Sequence, residues 1–407
     1  MTMGQPGASK PLAGVRVVDM STSYAGPTGT MYLADMGAEV IKIERPPGGD
    51  DCRHWGPPFE DGWSAWYRSA NRNKRSLGID ISLPTGRAIL DRLLDEADVF
   101  IQTLNPAKLG RLGLDPEAVR SDRPRLVYCA ISGFGLDGPD RDLPGYDLIA
   151  QARSGLMSVT GEKGRSPQRV STALSDIVAG ITAAFAIVSA LHGRDSSGHG
   201  ATIDVSLLDV GMALMAPRIA AYLAGEPEPA PSGATDSVLS IYQTFDAADR
   251  PFVLAVGNDG MWKRLCAVAG TPDLADDPRC ATNALRRANR DELVHRLQAA
   301  FEGRTAAEWV GDLMAAGVPA SLVRTLSEVV ADPHVTARDA IVEIHGTDGT
   351  SFRTTNHPWR LDGQGPAHQA PALLGGDTQD LLEQLGFEQH QIDALVEEGV
   401  LCRPNPA

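Results

Sequence analysis

VRVVDMSTSYAGPTGTMYLADMGAEVIKIER, residues 15 to 45, holds two apolar runs on either side of a helical interval. Val15–Asp19 has the length and β-branched content of a buried strand. STSYAGPTGTMYLADMG is a turn followed by a helix that stops at Gly37. Glu39–Arg45 is a second strand. A strand, a helix and a strand in this order predict a parallel pair joined by a crossover. Parallel sheets bind ligands at the carboxyl ends of their strands. That edge carries Ser23, Tyr24 and Ala25 after the first strand and Arg45 at the end of the second. The turn contains Gly26 and Gly29 but is not GxGxxG, which weighs against a nicotinamide-dependent oxidoreductase.

Working outward, the same alternation continues. Pro46–Trp66 is a loop with three tryptophans, Trp55, Trp63 and Trp66, expected to pack on a partner subunit or a ligand. The basic cluster NRNKRS at 71–76 is either a solvated surface or an anion site. The short strand LGIDI follows it. Thr85–Ala97 is an amphipathic helix, and Asp98–Gln102 a strand that ends in Thr103, Leu104 and Asn105. A short helix, Pro106–Leu114, carries Lys108 and Arg111. Leu126–Ile131 and Ala201–Leu208 are further strands, and Gly145-Tyr146-Asp147 opens the helix DLIAQARSGLM.

Between these last strands lies SDIVAGITAAFAIVSALHG, 175–193. Its apolar run is too short and too rich in Ala and Gly for a membrane span, and suits a buried helix ending at Gly193. Asp176 is then a carboxylate at a buried helix N-terminus. It is either a cap or a nucleophile of the kind that forms covalent acyl intermediates. In either role the helix dipole is expected to keep it ionised.

The segment EPEPAPSG, 226–233, is the clearest linker. The expected organisation is a large domain over 10–208, a linker over 209–233, a small domain over 234–330, a second linker over 331–369, and a return to the large domain over 370–407. The chain has 407 residues, 43% of them hydrophobic and 22% charged, with a formal net charge of −15. That charge argues against nucleic-acid or anionic-membrane partners. Five scattered cysteines and no CxxC spacing support neither a disulfide framework nor a zinc site. The first residues lack a signal-peptide core, so a cytoplasmic location is expected.

Several stretches taken together resemble the family III (CaiB/BaiF-type) coenzyme A transferases. They are PLAGVRVVDMS, GPTGTMYLADMGAEVIKIERP, NRNKRSLGID, GYDLIAQARSGLMSVTG, the Asp176 helix with its trailing GHGATIDVSLLD, and PALLG at 371–375. The resemblance implies an α/β fold: a large Rossmann-like parallel-sheet domain and a smaller α+β domain, joined by long linkers in an interlocked homodimer. It implies coenzyme A and acyl-CoA as substrates, with no prosthetic group and no metal. Asp176 matches the family's aspartate nucleophile. Tyr24, Ala25, Arg45, Ile79, Thr103, Leu104, Asn105, Arg111, Tyr146 and Asp147 match positions that contact CoA.

GDDCRHWGPPF and the following NRNKRS look like the subgroup that uses succinyl-CoA and dicarboxylic acids, with Arg53, His54 and Arg72 as candidates for the acceptor's distal carboxylate. The glycines of VGNDG, Gly257 and Gly260, are candidates for a lid; formyl-CoA transferase has a longer glycine tract, which this sequence lacks. The alternative within the same resemblance is an α-methylacyl-CoA racemase. Such enzymes place a histidine where this chain has Tyr146, a poor proton shuttle at neutral pH.

Overall fold

The computed structural model describes residues 10–235, 238–346, 349–362 and 365–404. Residues 1–9, and 405–407 of the expected C-terminal part, lie outside the described residues. The chain divides into two compact units. One comprises the chain up to Leu156, Val170–Ala224 and everything from His334; the other comprises Met157–Arg169 and Gly225–Pro333.

The first unit is built on β1 (Arg16–Met20), β2 (Glu39–Glu44), β3 (Lys74–Ile79), β4 (Val99–Gln102), β5 (Val127–Ser132) and β6 (Thr202–Ser206). They pair in the order β3-β2-β1-β4-β5-β6, all parallel. A final short strand, Leu401–Cys402, adds antiparallel to the outer edge of β3. The strands are apolar runs because both sheet faces are covered. On one face Val18, Ile41, Leu77 and Phe100 pack with Ile89, Leu90 and Leu93, and with Leu381, Leu382 and Ile392 from the C-terminal segment. On the other, Val17, Val40, Val99 and Ile101 pack with Leu33 of α1 (Ala25–Asp35) and with Ala179, Ala183 and Ile187. The C-terminal segment is tied to β3 by side chains: Gly375 N–H donates to Ser76 Oγ at 3.0 Å and Gly78 N–H to Thr378 Oγ1 at 3.1 Å.

The strand order reverses between β1 and β4. Chain leaving β1 turns to one side and chain leaving β4 to the other, so a crevice opens after Met20 and Gln102.

Three expectations change. The second half of the basic cluster, Lys74–Ser76, does not precede the third strand but is part of it, and each cation of the cluster has a buried or half-buried acid to meet (below). The last residues, read from the sequence as helices to Leu401, leave the helix at Glu397, and Leu401–Cys402 is a strand because β3 offers it an unpaired edge. The Asp176 helix runs on from Leu174 to Ser197, past Gly193. Arg194 is anchored to Asp98 at 2.9 Å, which carries the helix a further turn, and Gly198 ends it in the left-handed region at φ 75°. At 24 residues it is long and apolar enough by composition to cross a membrane, yet one face is built into the core beside α1. The opposite face is not buried by this chain: Phe185 is 73% exposed.

The second unit has its own core. β7 (Tyr242–Asp246), β8 (Pro251–Ala255) and β9 (Ala320–Leu322) form an antiparallel sheet in the order β9-β8-β7. Phe245, Phe252, Phe301 and Trp309 meet edge-on or tilted in its centre. Within the first unit, Ile341–His345 and Ser351–Thr355 pair as an antiparallel hairpin.

Candidate active site

The crevice after β1 and β4 is braced from below by buried charge. Asp19, on β1, accepts hydrogen bonds from Thr30 Oγ1 at 2.6 Å, Ser21 N–H at 2.9 Å and Lys74 Nζ at 3.2 Å. Burial alone would raise its carboxyl, but Lys74 and Lys42 outweigh burial and hold it down at about 2. Lys74 also donates to Pro27 O at 2.9 Å, and Lys42 to Ser21 O at 2.8 Å, with Asp50 2.8 Å away. Asp50 accepts the N–H of Ser23 at 2.9 Å. That bond holds Ser23 at φ 69°, a left-handed conformation a serine rarely takes. Thr103 Oγ1 accepts Thr22 N–H at 3.0 Å, linking the ends of β4 and β1. The turn from Ser21 to Tyr24 is thereby fixed, and α1 starts behind it with no side-chain cap. Its first N–H groups have no partner within the helix, so they favour negative charge.

A second helix N-terminus is brought to the same place by two glycines. α1 crosses the Asp176 helix where Gly29 meets Gly180. A Cβ on Gly29 would lie 2.7 Å from the Gly180 carbonyl, and one on Gly180 would lie 2.5 Å from the Ala25 carbonyl. Gly29 lies one turn after Ala25 and Gly180 one turn after Asp176, so the crossing sets Asp176 beside Ala25 at the mouth of α1. A third close approach shapes the wall: a Cβ on Gly133, after β5, would lie 2.6 Å from Gly145 Cα.

Asp176 is not the helix cap. Ala173 occupies that position, and the acceptor comes from Asp147 at the start of the helix Asp147–Arg153. Asp147 Oδ1 accepts Ser175 N–H at 2.7 Å and Asp176 N–H at 3.4 Å, while Gln151 Nε2 donates to its other oxygen at 2.7 Å. This arrangement overturns the expectation of a freely ionised Asp176. Burial first, and then the charge of Asp147, push its carboxyl up to about 7.

These pieces enclose a cavity of about 260 Å³. Its lining includes Ala25, Thr103, Leu104, Asn105, Tyr146 and Asp176, six residues singled out from the sequence. A neighbouring cavity of about 310 Å³ is lined by Arg45 and Ile79 and shares Thr22 and Leu104 with the first. Tyr24 lies under the turn, its hydroxyl 2.9 Å from Ser69 Oγ. Asp147 is buried behind Asp176 as the cap. Arg111 lines neither cavity; its Nε donates to Ala107 O on its own helix at 3.3 Å. Asn105 reaches the cavity with its side chain engaged: it accepts Lys108 N–H at 3.0 Å and donates to Asp142 O at 3.0 Å.

Arg53 and Arg72 are committed elsewhere. Arg53 Nε donates to Glu44 at 2.8 Å, and Arg72 Nε to buried Asp35 at 3.0 Å. His54 Nε2 is 3.0 Å from Gly48 O. The rest of the basic cluster is likewise internal, with Arg75 paired to Glu39 at 2.7 Å. In the second unit, Gly257 and Gly260 flank Asn258, whose side chain accepts Met261 N–H at 2.9 Å as the cap of the helix Asp259–Val268.

Lining residues not foreseen as ligand contacts include Asp51, Lys108, Ser132 and Leu143. Lys108 had one usable signal, its place just after the end of β4 on the short helix Pro106–Leu112. Among the described residues no group of His, Cys, Asp or Glu is arranged to hold a metal ion.

The model of CoA-transferase family III matches residues 12–378. The chain belongs to CoA-transferase family III. A succinate–glutarate CoA-transferase of Agrobacterium fabrum is 41% identical over 92% of this chain and 97% of its own. A succinyl-CoA:glutarate CoA-transferase of Homo sapiens is 35% identical over 96% of this chain and 90% of its own. The crystal structure of a CaiB/BaiF family protein from Brucella suis superposes with a TM-score of 0.81 at 35% identity, covering 93% of this chain and all of that one. This family III member is therefore a CoA-transferase with CoA thioesters as substrates, and these relatives favour CoA transfer over the racemase alternative.

Proposed function

We propose that the enzyme moves CoA from succinyl-CoA to a dicarboxylic acid of glutarate type, with Asp176 as the covalent carrier. The Asp176 carboxylate attacks the thioester carbonyl and expels CoA thiolate, leaving an acyl–aspartyl anhydride. The thiolate attacks the aspartyl carbonyl and expels succinate, leaving an aspartyl–CoA thioester. The acceptor carboxylate attacks that thioester and expels the thiolate. The thiolate then attacks the acceptor's acyl carbon, and Asp176 leaves as carboxylate. Thioester energy is kept throughout as long as water stays out.

The observation that carries this reading is the position of Asp176: its carboxyl lines the cavity beside the uncapped start of α1, where N–H groups can meet the oxyanions formed at each step. Arg45 in the adjoining cavity supplies positive charge suited to nucleotide phosphates. The names of the relatives support succinyl and glutaryl groups as the acids exchanged.

The reading extends to a homodimer with interlocked chains. Ile181 and Phe185 on the Asp176 helix, and Met212, Tyr222 and Leu223 on the two helices after β6, leave large apolar side chains exposed, as subunit interfaces do. Five unpaired cysteines, four of them buried, are consistent with a reducing, cytoplasmic setting.

The test is intact-protein mass spectrometry after mixing with succinyl-CoA, for the wild type and for Asp176→Ala, with hydroxylamine added to cleave activated carboxyl groups. A CoA-sized adduct on the wild type alone, removed by hydroxylamine, is expected. Equal labelling of both proteins would overturn the assignment of Asp176. Turnover of monocarboxylates with none of dicarboxylates would overturn the substrate class and leave the carrier intact.

A further inference from the structure

We infer that Lys108 selects the substrate by pairing with the distal carboxylate of the dicarboxylic acid, an inference that rests on the function proposed above. A diacid bound through one carboxyl at Asp176 brings its second carboxylate into the same cavity. That charge must lose water, and the loss is offset only by a cation or by several donors. The cavity wall also carries Asp51, an unfavourable neighbour for another anion. Among the described residues lining it, Lys108 is the one lysine or arginine.

The arginines that the sequence offered for this task are excluded by their partners. Arg53 is bonded to Glu44 and Arg72 to Asp35, and both acids are buried. Withdrawing either arginine would strand a buried carboxylate, a cost a transient substrate contact does not repay.

Lys108 differs from them in every respect. It is exposed, and it stands three residues after Asn105, whose side chain caps Lys108 N–H and fixes the first turn of the helix. A second brace, Ala107 N–H to Asp142 Oδ1 at 2.8 Å, holds the same turn. The backbone is therefore rigid while the side chain keeps its reach. A lysine tolerates diacids of different length, because its ammonium is a point charge on a flexible stem.

The division of labour follows. Arg45 in the second cavity is left to the phosphates of CoA, and Lys108 in the first to the acid.

The test compares wild type, Lys108→Met and Lys108→Glu with succinyl-CoA as donor and three five-carbon acceptors: glutarate, pentanoate and 5-aminopentanoate. In the wild type, kcat/KM for glutarate exceeds that for pentanoate. In Lys108→Met that ratio is expected to fall by about 10- to 100-fold, the range of a lost charge-assisted hydrogen bond. In Lys108→Glu the preference is expected to move toward 5-aminopentanoate, a gain that misfolding cannot produce. A uniform loss for all three acceptors with their ratios unchanged would make Lys108 a CoA contact and overturn the inference. Unchanged ratios with unchanged rates would overturn it as well. A wild type that does not discriminate glutarate from pentanoate would instead refute the proposed substrate class.

Discussion

Asp147 binds the backbone of Asp176 and opposes its side chain: its carboxylate accepts the Asp176 N–H at 3.4 Å, while its charge helps to lift the Asp176 carboxyl to about 7. A nucleophile must be ionised to attack, so kcat/KM for acyl-CoA is expected to rise with pH along a limb centred near 7. Asp147→Asn keeps an oxygen for Ser175 N–H but removes the charge. The limb is then expected to move toward lower pH. A pH–rate profile of both proteins checks this, and a shift toward higher pH would contradict it.

The same raised carboxyl makes the native state less stable once it ionises. The unfolded chain titrates near the ordinary carboxylate value and the folded one at about 7, so stability from the neutral form is complete below about pH 4 and lost as pH rises through 7. Asp176→Asn is therefore expected to be more stable than wild type at pH 8, by up to about 4 kcal/mol, and nearly equal to it at pH 4. Thermal melts across that range measure the difference; a gap that shrinks with rising pH would refute it.

Gly180→Ala places a methyl 2.5 Å from the Ala25 carbonyl, backbone that cannot rotate away. The helices must separate, at a cost of about 1–3 kcal/mol. Since the crossing positions Asp176, kcat is expected to fall on the order of 100-fold even in protein that remains folded. Activity measured alongside circular dichroism separates the two effects.

Arg45, just after β2, and Lys74, on the neighbouring β3, do opposite work. The Arg45 side chain is 78% exposed and 3.8 Å from Asp80, so Arg45→Gln is expected to raise KM for acyl-CoA and leave the melting temperature nearly unchanged. Lys74 is buried against Asp19. Lys74→Met removes that carboxylate's direct ion pair, leaving Thr30, Ser21 and the charge of Lys42, and is expected to cost about 3 kcal/mol. Differential scanning calorimetry paired with steady-state kinetics on both variants tests the contrast.

Phe185→Glu is expected to weaken self-association, since it sets a charge on the exposed face of the Asp176 helix. Light scattering over a dilution series reads this directly; an unaltered dimer, or a monomeric wild type, would remove that face from the interface.

The sheet was legible because periodic, local signals specify it. Val17–Val18 and Val40–Ile41 are β-branched pairs suited to a strand covered on both faces, and the crossover rule sets their direction. The edge that carries the cavity followed from strand polarity, and so did the place of the residues after β1 and β4 in its lining. The partners of the charged residues were not legible. Lys74 and Asp19 are 55 residues apart and Arg72 and Asp35 are 37 apart, and no periodicity couples them. The cap on the Asp176 helix escaped for the same reason: Asp147 arrives from another helix, whereas sequence signals for caps look one turn away. Gly193 looked like a helix stop because a glycine before an arginine usually is one, and the anchoring of Arg194 by Asp98 lies outside any local window.

The closing of β3 by Leu401–Cys402 also has a consequence in time. More than three hundred residues separate β3 from the strand that covers its edge, a span a ribosome needs roughly 15 to 60 s to translate. Throughout that interval the nascent sheet presents an unpaired row of backbone groups, the feature through which chains aggregate. Gly225–Pro333, meanwhile, emerges as one uninterrupted stretch and can complete most of its own core first. The edge closes only when Leu401–Cys402 reaches Ile79 and Gly78, so the last residues of the chain finish a sheet that its first residues began.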